Sequence, residues 1–109
     1  MAHHSIPQPE VPLGDMRLEG AEPAASLLRA LANPHRLMVL CSLVDGELSV
    51  SELNERVPLS QSALSQHLAR LRQENLVGTR RESQTIYYRI ADSVVLEIIE
   101  TLYRRLCQS

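Results

Sequence analysis

Two sets of residues in this 109-residue chain are of types that do chemistry. Cys41 and Cys107 are the only thiols, and a thiolate is a nucleophile, a redox centre and a soft metal ligand. The second set lies in "VPLSQSALSQHLARLRQENLVGTRRESQTIYYRI", residues 57–90. Leu64, Leu68 and Leu71 recur there at helical spacing, so they face inward. At about 100° per residue, Ser62, Ser65, Gln66, Ala69 and Gln73 fall opposite that stripe, with Arg70 at its flank. Hydroxyls and amides donate and accept hydrogen bonds, and arginine adds charge and bidentate pairing; together they can meet base edges and phosphates. The candidate DNA-contacting residues are Gln61, Ser62, Ser65, Gln66 and Arg70, with Arg80 and Arg81 from the segment that follows.

The net charge of -2 argues against such a role until the chain is divided. Residues 1–59 carry four Arg against eight acids, whereas residues 60–91 carry Arg70, Arg72, Arg80, Arg81 and Arg89 against Glu74 and Glu82. A basic segment on an otherwise acidic body is expected where one face must meet phosphates and the rest must not. Taken alone, an isolated polar helix face is a solvated one; its context decides.

That context is a set of helices. There is no Trp and no Phe, so the core must be aliphatic, which favours packed helices. Residues 1–20, with three prolines and no apolar period, read as a mobile tail, and His3 and His4 within it are given no function. From Glu22 onward, Leu27, Leu28 and Leu31 mark one stripe of a first helix. Asn33 and Pro34 are a cap and a first helical residue for a second, apolar helix over about 34–45, which Gly46 ends. Ser49 followed by Glu52 predicts a capping box and a short third helix that Pro58 breaks; Ser60 caps the fourth. After Gly78 the period becomes two, and "VGTRRE" and "TIYYRI" flank Ser83 and Gln84 as a hairpin. A last helix, about 93–107, carries Val95, Ile98, Ile99, Leu102 and Leu106. The fold class is mainly α: one winged helix-turn-helix domain over 21–109, with about five helices and a two-stranded wing. No apolar run reaches the length of a membrane span and no signal-peptide pattern opens the chain, so a cytosolic protein is expected. In that compartment a cysteine pair is free, reactive or metal-binding rather than a permanent staple.

The run from about Glu22 to Cys107 resembles the ArsR/SmtB winged-helix repressors, through "LLRALANPHRLMVLCSL", "GELSVSELNERV", "LSQSALSQHLARLRQENLV" and "TRRESQTIYYRI". The resemblance implies a homodimer through the first and last helices, with two recognition helices in successive major grooves of a pseudo-palindromic operator in double-stranded DNA. The apolar stripe on the last helix fits that role. Many such proteins sense metals. The family's motif resembling "ELCVCDL" is here "ELSVSEL", with Ser49 and Ser51 in place of thiolates, and hydroxyls are poor ligands for soft metals. The family's Asp and His ligands on the last helix lack a histidine here. No metal site and no cofactor is expected, and His35 and His67 read as structural. One cysteine on the second helix and one ending the last resemble the persulfide-sensing subgroup typified by BigR and SqrR, and also the virulence-gene regulator HlyU. In that subgroup the paired thiols react with sulfane sulfur, become bridged, and DNA is released.

The reading is a dimeric repressor, not an enzyme, with Cys41 and Cys107 as sensor thiols for reactive sulfur or oxidants. A metal-responsive repressor, and a virulence-gene regulator without a reactive-sulfur role, are the same class with other inputs. A thiol peroxidase is disfavoured because neither cysteine has an identifiable base or orienting group. A winged helix that binds only protein is the remaining alternative.

Overall fold

The computed structural model describes residues 16–107. The expected tail lies mostly outside these residues, as do His3 and His4. The order of elements is α1 (Leu18–Leu31), α2 (Pro34–Ser42), β1 (Leu48–Ser49), α3 (Val50–Arg56), α4 (Gln61–Gln73), β2 (Val77–Glu82), β3 (Thr85–Ile90) and α5 (Ser93–Leu102). A π-helical turn, Tyr103–Cys107, follows α5.

The helix starts are fixed by side chains that satisfy otherwise unpaired backbone donors. Asn33 Oδ1 accepts from the amides of His35 (2.9 Å) and Arg36 (3.1 Å), and Pro34 takes the first helical position of α2. At α3 the capping box is complete: Ser49 Oγ accepts from the Glu52 amide, and Glu52 Oε1 accepts from the Ser49 amide. Ser60 caps α4 through the Ala63 amide, and Asp92 caps α5 through the Val94 amide. Between α3 and α4, Asn54 Nδ2 donates to the Leu59 carbonyl (2.8 Å) and holds the turn closed.

The core is aliphatic and lies where the helices meet. Val39 and Leu40 of α2, Leu53 of α3, Leu64, Leu68 and Leu71 of α4, and Val95 and Ile99 of α5 are all buried. Burying the three leucines of α4 fixes which of its faces points outward, because the helix cannot rotate without exposing them.

Several expected boundaries move. The first helix starts at Leu18, one turn before Glu22, and Pro23 lies inside it. Proline is tolerated within a helix's first turn, which is why the pattern reads as beginning there; the helix extends beyond it nonetheless. Leu28, placed on the inward stripe, is 56% exposed. The second helix ends at Ser42, and a turn leads to Gly46, whose φ of 145° is closed to most side chains. The sheet has three strands in the order β1-β3-β2, not two, because Leu48 and Ser49 pair with Tyr88 and Tyr87. The last helix changes to a π turn after Leu102. The hairpin stands as expected, Val77–Glu82 against Thr85–Ile90, turning at Ser83 with φ 57°.

Candidate nucleic-acid interface and thiol site

Burial of its leucine stripe turns α4 so that Gln61, Ser62, Ser65, Gln66, Ala69 and Gln73 are exposed. Nothing else in the described residues covers this face, and its side chains are short and uncharged except at the flanks. Arg70 is half-buried, with its Nε 3.8 Å from Glu74 Oε2. An open groove of about 450 Å³ runs between α4 and the wing, lined by Ser65, Ala69, Arg72, Gln73 and Tyr88. Arg72 and Tyr88 are thus brought to the same surface. Sequence spacing alone did not single them out, because Tyr88 reaches α4 only through the fold of the hairpin.

The two wing arginines differ. Arg81 is exposed and makes no side-chain bond among the described residues. Arg80 is held on three sides: Nε donates to Glu47 Oε1 (2.9 Å), Nη1 donates to Glu82 Oε1 (3.0 Å), and the guanidinium lies 4.6 Å from the centre of the Tyr87 ring. The hydrogen bond from Arg80 holds the Glu47 carboxyl below the usual carboxylate range. Arg80 therefore braces the wing against the segment that enters β1. Any phosphate it meets must share it with two carboxylates. The sequence signal for Glu47 was weak, since an acid after a glycine turn is ordinarily solvated. Arg89 lies across β2, its Nη1 donating to the Thr79 carbonyl (3.3 Å) above Gly78, where an added Cβ would meet the guanidinium at 2.9 Å.

Cys41 and Cys107 are far apart in sequence and share one region. Cys41 sits in the last turn of α2, half-buried against the core, and Cys107 ends the π turn, exposed. A cavity of about 450 Å³ is lined by Cys41, Ser42, Val44 and Asp45 from one side and by Glu100, Tyr103 and Arg104 from the other. Burial pushes the Cys41 thiol above its ordinary range, and the charge of Cys107 pushes it the same way. Ser49, standing where some metal sensors have a thiolate, is committed to the cap of α3. Among the described residues no three His, Cys, Asp or Glu side chains gather as a metal cluster, and no helix is long and apolar enough to cross a membrane.

Two short helices in a closed turn, the second presenting polar side chains beside a basic hairpin, define a winged helix-turn-helix DNA-binding protein. Residues 33–79 match the arsR family of bacterial regulatory proteins, and the chain belongs to that family as a transcriptional regulator. The transcriptional activator HlyU of Vibrio cholerae is 55% identical over 86 residues, 79% of this chain and 80% of that protein. The biofilm growth-associated repressor of Agrobacterium fabrum is 44% identical over 98 residues, covering 90% and 83%. A solved structure of reduced HlyU from Vibrio cholerae superposes with a TM-score of 0.80 at 52% identity, covering 83% of this chain and 95% of that one. These relatives are regulators, not enzymes.

Proposed function

We propose that the protein is a homodimeric repressor that binds operator DNA through α4 and the wing and releases it when Cys41 and Cys107 react with sulfane sulfur or oxidants. The observation that carries the sensing role is the position of Cys41 on a cavity between α2 and the end of α5, whose opposite wall includes Tyr103 and Arg104 of the π turn that Cys107 ends. Cys107, exposed, meets the donor first; Cys41, half-buried and with its thiol pushed up by burial, reacts second. Each thiolate attacks the outer sulfur of a donor persulfide, taking one sulfur and releasing the donor thiol. The terminal sulfur of one cysteine persulfide then attacks the inner sulfur of the other, expels hydrosulfide and leaves a three-sulfur bridge. A direct disulfide needs Cα atoms about 4.4–6.8 Å apart, and the inserted sulfur relaxes that requirement.

Gln66, Ser62, Ser65 and Gln61 are assigned to base edges and nearby phosphates, and Arg70 and Arg81 to phosphates. The dimer is supported by apolar side chains left open on the first and last helices: Leu18 and Leu28 on α1, Val94 and Leu102 on α5, and Leu106 beyond it, 78% exposed. A bridge tying α2 to that interface lowers DNA affinity only by favouring a dimer in which the two α4 helices fit the grooves less well.

Mass spectrometry of the reduced protein after a sulfane-sulfur donor, and separately after peroxide, tests the chemistry. The expected product of the donor is a Cys41–Cys107 bridge heavier than a plain disulfide by one or more sulfur atoms. A protein that gains sulfur on Cys107 alone would contradict it. Zn²⁺ binding lost in either cysteine variant would move the assignment to a metal sensor.

A further inference from the structure

Where α2 begins against the flank of α4, four groups of like charge or like titration are gathered. Arg36 donates from Nε to the Ala30 carbonyl (2.6 Å) and from Nη2 to the Arg29 carbonyl (3.3 Å), both from the end of α1. Its Nη1 stands 3.4 Å from Nδ1 of His67 on α4. A guanidinium has no lone pair to offer, so His67 Nδ1 accepts and the ring is the neutral tautomer with its proton on Nε2. The His35 ring stacks on His67, with centroids 6.1 Å apart and planes 27° apart. From α4, Arg70 adds a charge that reaches Arg36. The facing carboxylate is Glu74, which is shared between Arg70 (3.8 Å) and Ser26 Oγ of α1 (3.5 Å).

Arg36 ties the end of α1 to α2, but the charges gathered around it oppose one another. Burial, Arg36 and His35 together hold the His67 imidazole below its ordinary range, and burial and Arg70 lower Arg36 in the same way. A site that repels its own charges is relieved by an anion. Three bonds fix Arg36 in place, and two of its five N–H donors remain, in the fork that suits phosphate oxygens. The position is also continuous with the candidate interface. Around α4, Arg70 lies about 40° from Gln66, and His67 about 60° further in the same direction. The cluster therefore extends the exposed face sideways, toward where the sugar-phosphate backbone runs beside a groove-bound helix.

We infer that Arg36, His35 and His67 form a phosphate subsite that receives a backbone phosphate of the duplex whose groove holds α4, with His67 taking up a proton as DNA binds. The inference rests on the DNA-binding reading. A phosphate beside His67 favours the imidazolium, which can no longer accept from Arg36, so the guanidinium turns its donors to the same anion. Bound DNA then raises the pH at which His67 protonates, and affinity must increase as pH falls through that interval.

The test is fluorescence anisotropy of a labelled random-sequence duplex with the reduced full-length protein, at fixed low ionic strength, between about pH 5.5 and 8. A random duplex suffices because phosphate contacts are independent of sequence. Affinity is expected to rise about three- to tenfold toward the acid end, the consequence of up to one linked proton. His67→Gln, whose amide oxygen still accepts from Arg36, should bind at pH 8 with a flat profile. Should that variant fail to fold, His35→Gln carries the test: without the stacked ring, the rise moves to higher pH, and an unmoved rise overturns the subsite. A flat wild-type profile, or an undiminished rise in a folded His67→Gln, also overturns it while leaving DNA binding by α4 intact. Absence of any binding across the range overturns both.

Discussion

Gln66 and the two wing arginines separate the kinds of contact that one small surface can make with a duplex. Gln66 stands in the middle of the exposed face of α4, where an amide can pair with a base edge. Gln66→Ala should cost about 1–3 kcal/mol on the cognate operator and little on random DNA, as measured by anisotropy on both. Equal losses would make it a phosphate contact. Among the described residues Arg81 has no partner to give up, so Arg81→Ala should weaken binding to all sequences alike and reduce the salt slope by about 1. Arg80→Ala should do something different, because it releases Glu47 and Glu82 as well. It leaves two uncompensated carboxylates at the wing, so binding should fall more than with Arg81→Ala; equal effects of the two changes would count against the brace. All eleven basic side chains of this protein are arginines, a composition suited to forked pairing with carboxylate or phosphate. Spacing placed Gln66 and Arg81 on a surface correctly. It gave Arg80 the same role as Arg81 and could not show its pairing, because the partner Glu47 lies 33 residues earlier and only the return of the chain beside β3 brings the two together.

At the scale of elements, helix caps were legible and strand β1 was not. Asn33, Ser49 and Ser60 act through backbone amides two or three residues away, so the pattern and its partners sit in the same few letters. Strand β1 has two residues, too few for an alternation, and Ser49 doubles as the cap of α3. The π turn likewise follows an uninterrupted apolar period that gives no reason to leave the α-helix at Tyr103. The contact between α2 and α4 was missed for another reason: His35 and His67 are each ordinary when read singly, and only packing stacks them. That contact has a consequence for stability in the free protein. Folding holds His67 below its unfolded value, so in that interval the unfolded chain binds more protons, and stability rises with pH. The penalty is absent well above about pH 6.5 and grows as pH falls toward the folded value. Thermal melts of the wild type should therefore lose ground relative to His67→Gln on moving from pH 8 to pH 6. Parallel melting profiles for the two proteins would show that the contact does not titrate. This trend is opposite in sign to that expected for DNA affinity, which separates the two effects.

For the whole molecule, the apolar stripe of the last helix divides in two. Val95 and Ile99 close the core of the protomer, whereas Leu102 and Leu106 stay open, as do Leu18 and Leu28 of α1. The sequence showed the stripe but not the division, since helical period says which residues share a face and not which neighbour covers it. In the proposed dimer the open half is covered by the second copy. Leu106→Glu should then shift the protein toward monomer in sedimentation while leaving its helix content intact, because an unpaired charge is costly at a buried contact. An unchanged dimer would place the interface elsewhere. The thiol cavity lies between α2 and this same C-terminal region, so sulfur chemistry at one end of α5 can bias how two protomers are set against each other. A coupling of about 1–3 kcal/mol, a change of roughly 5–150-fold in DNA affinity, is ordinary for such a linkage.

The central claim, a switch that needs both thiols, is tested most directly by operator release from single serine variants. Reduced Cys41→Ser and Cys107→Ser should each bind the operator as the wild type does, since neither residue lies on the exposed face of α4. After treatment with a sulfane-sulfur donor in the absence of metal, the wild type should dissociate and both variants should remain bound. Dissociation of either variant under that treatment would contradict the account, because one modified thiol would then suffice.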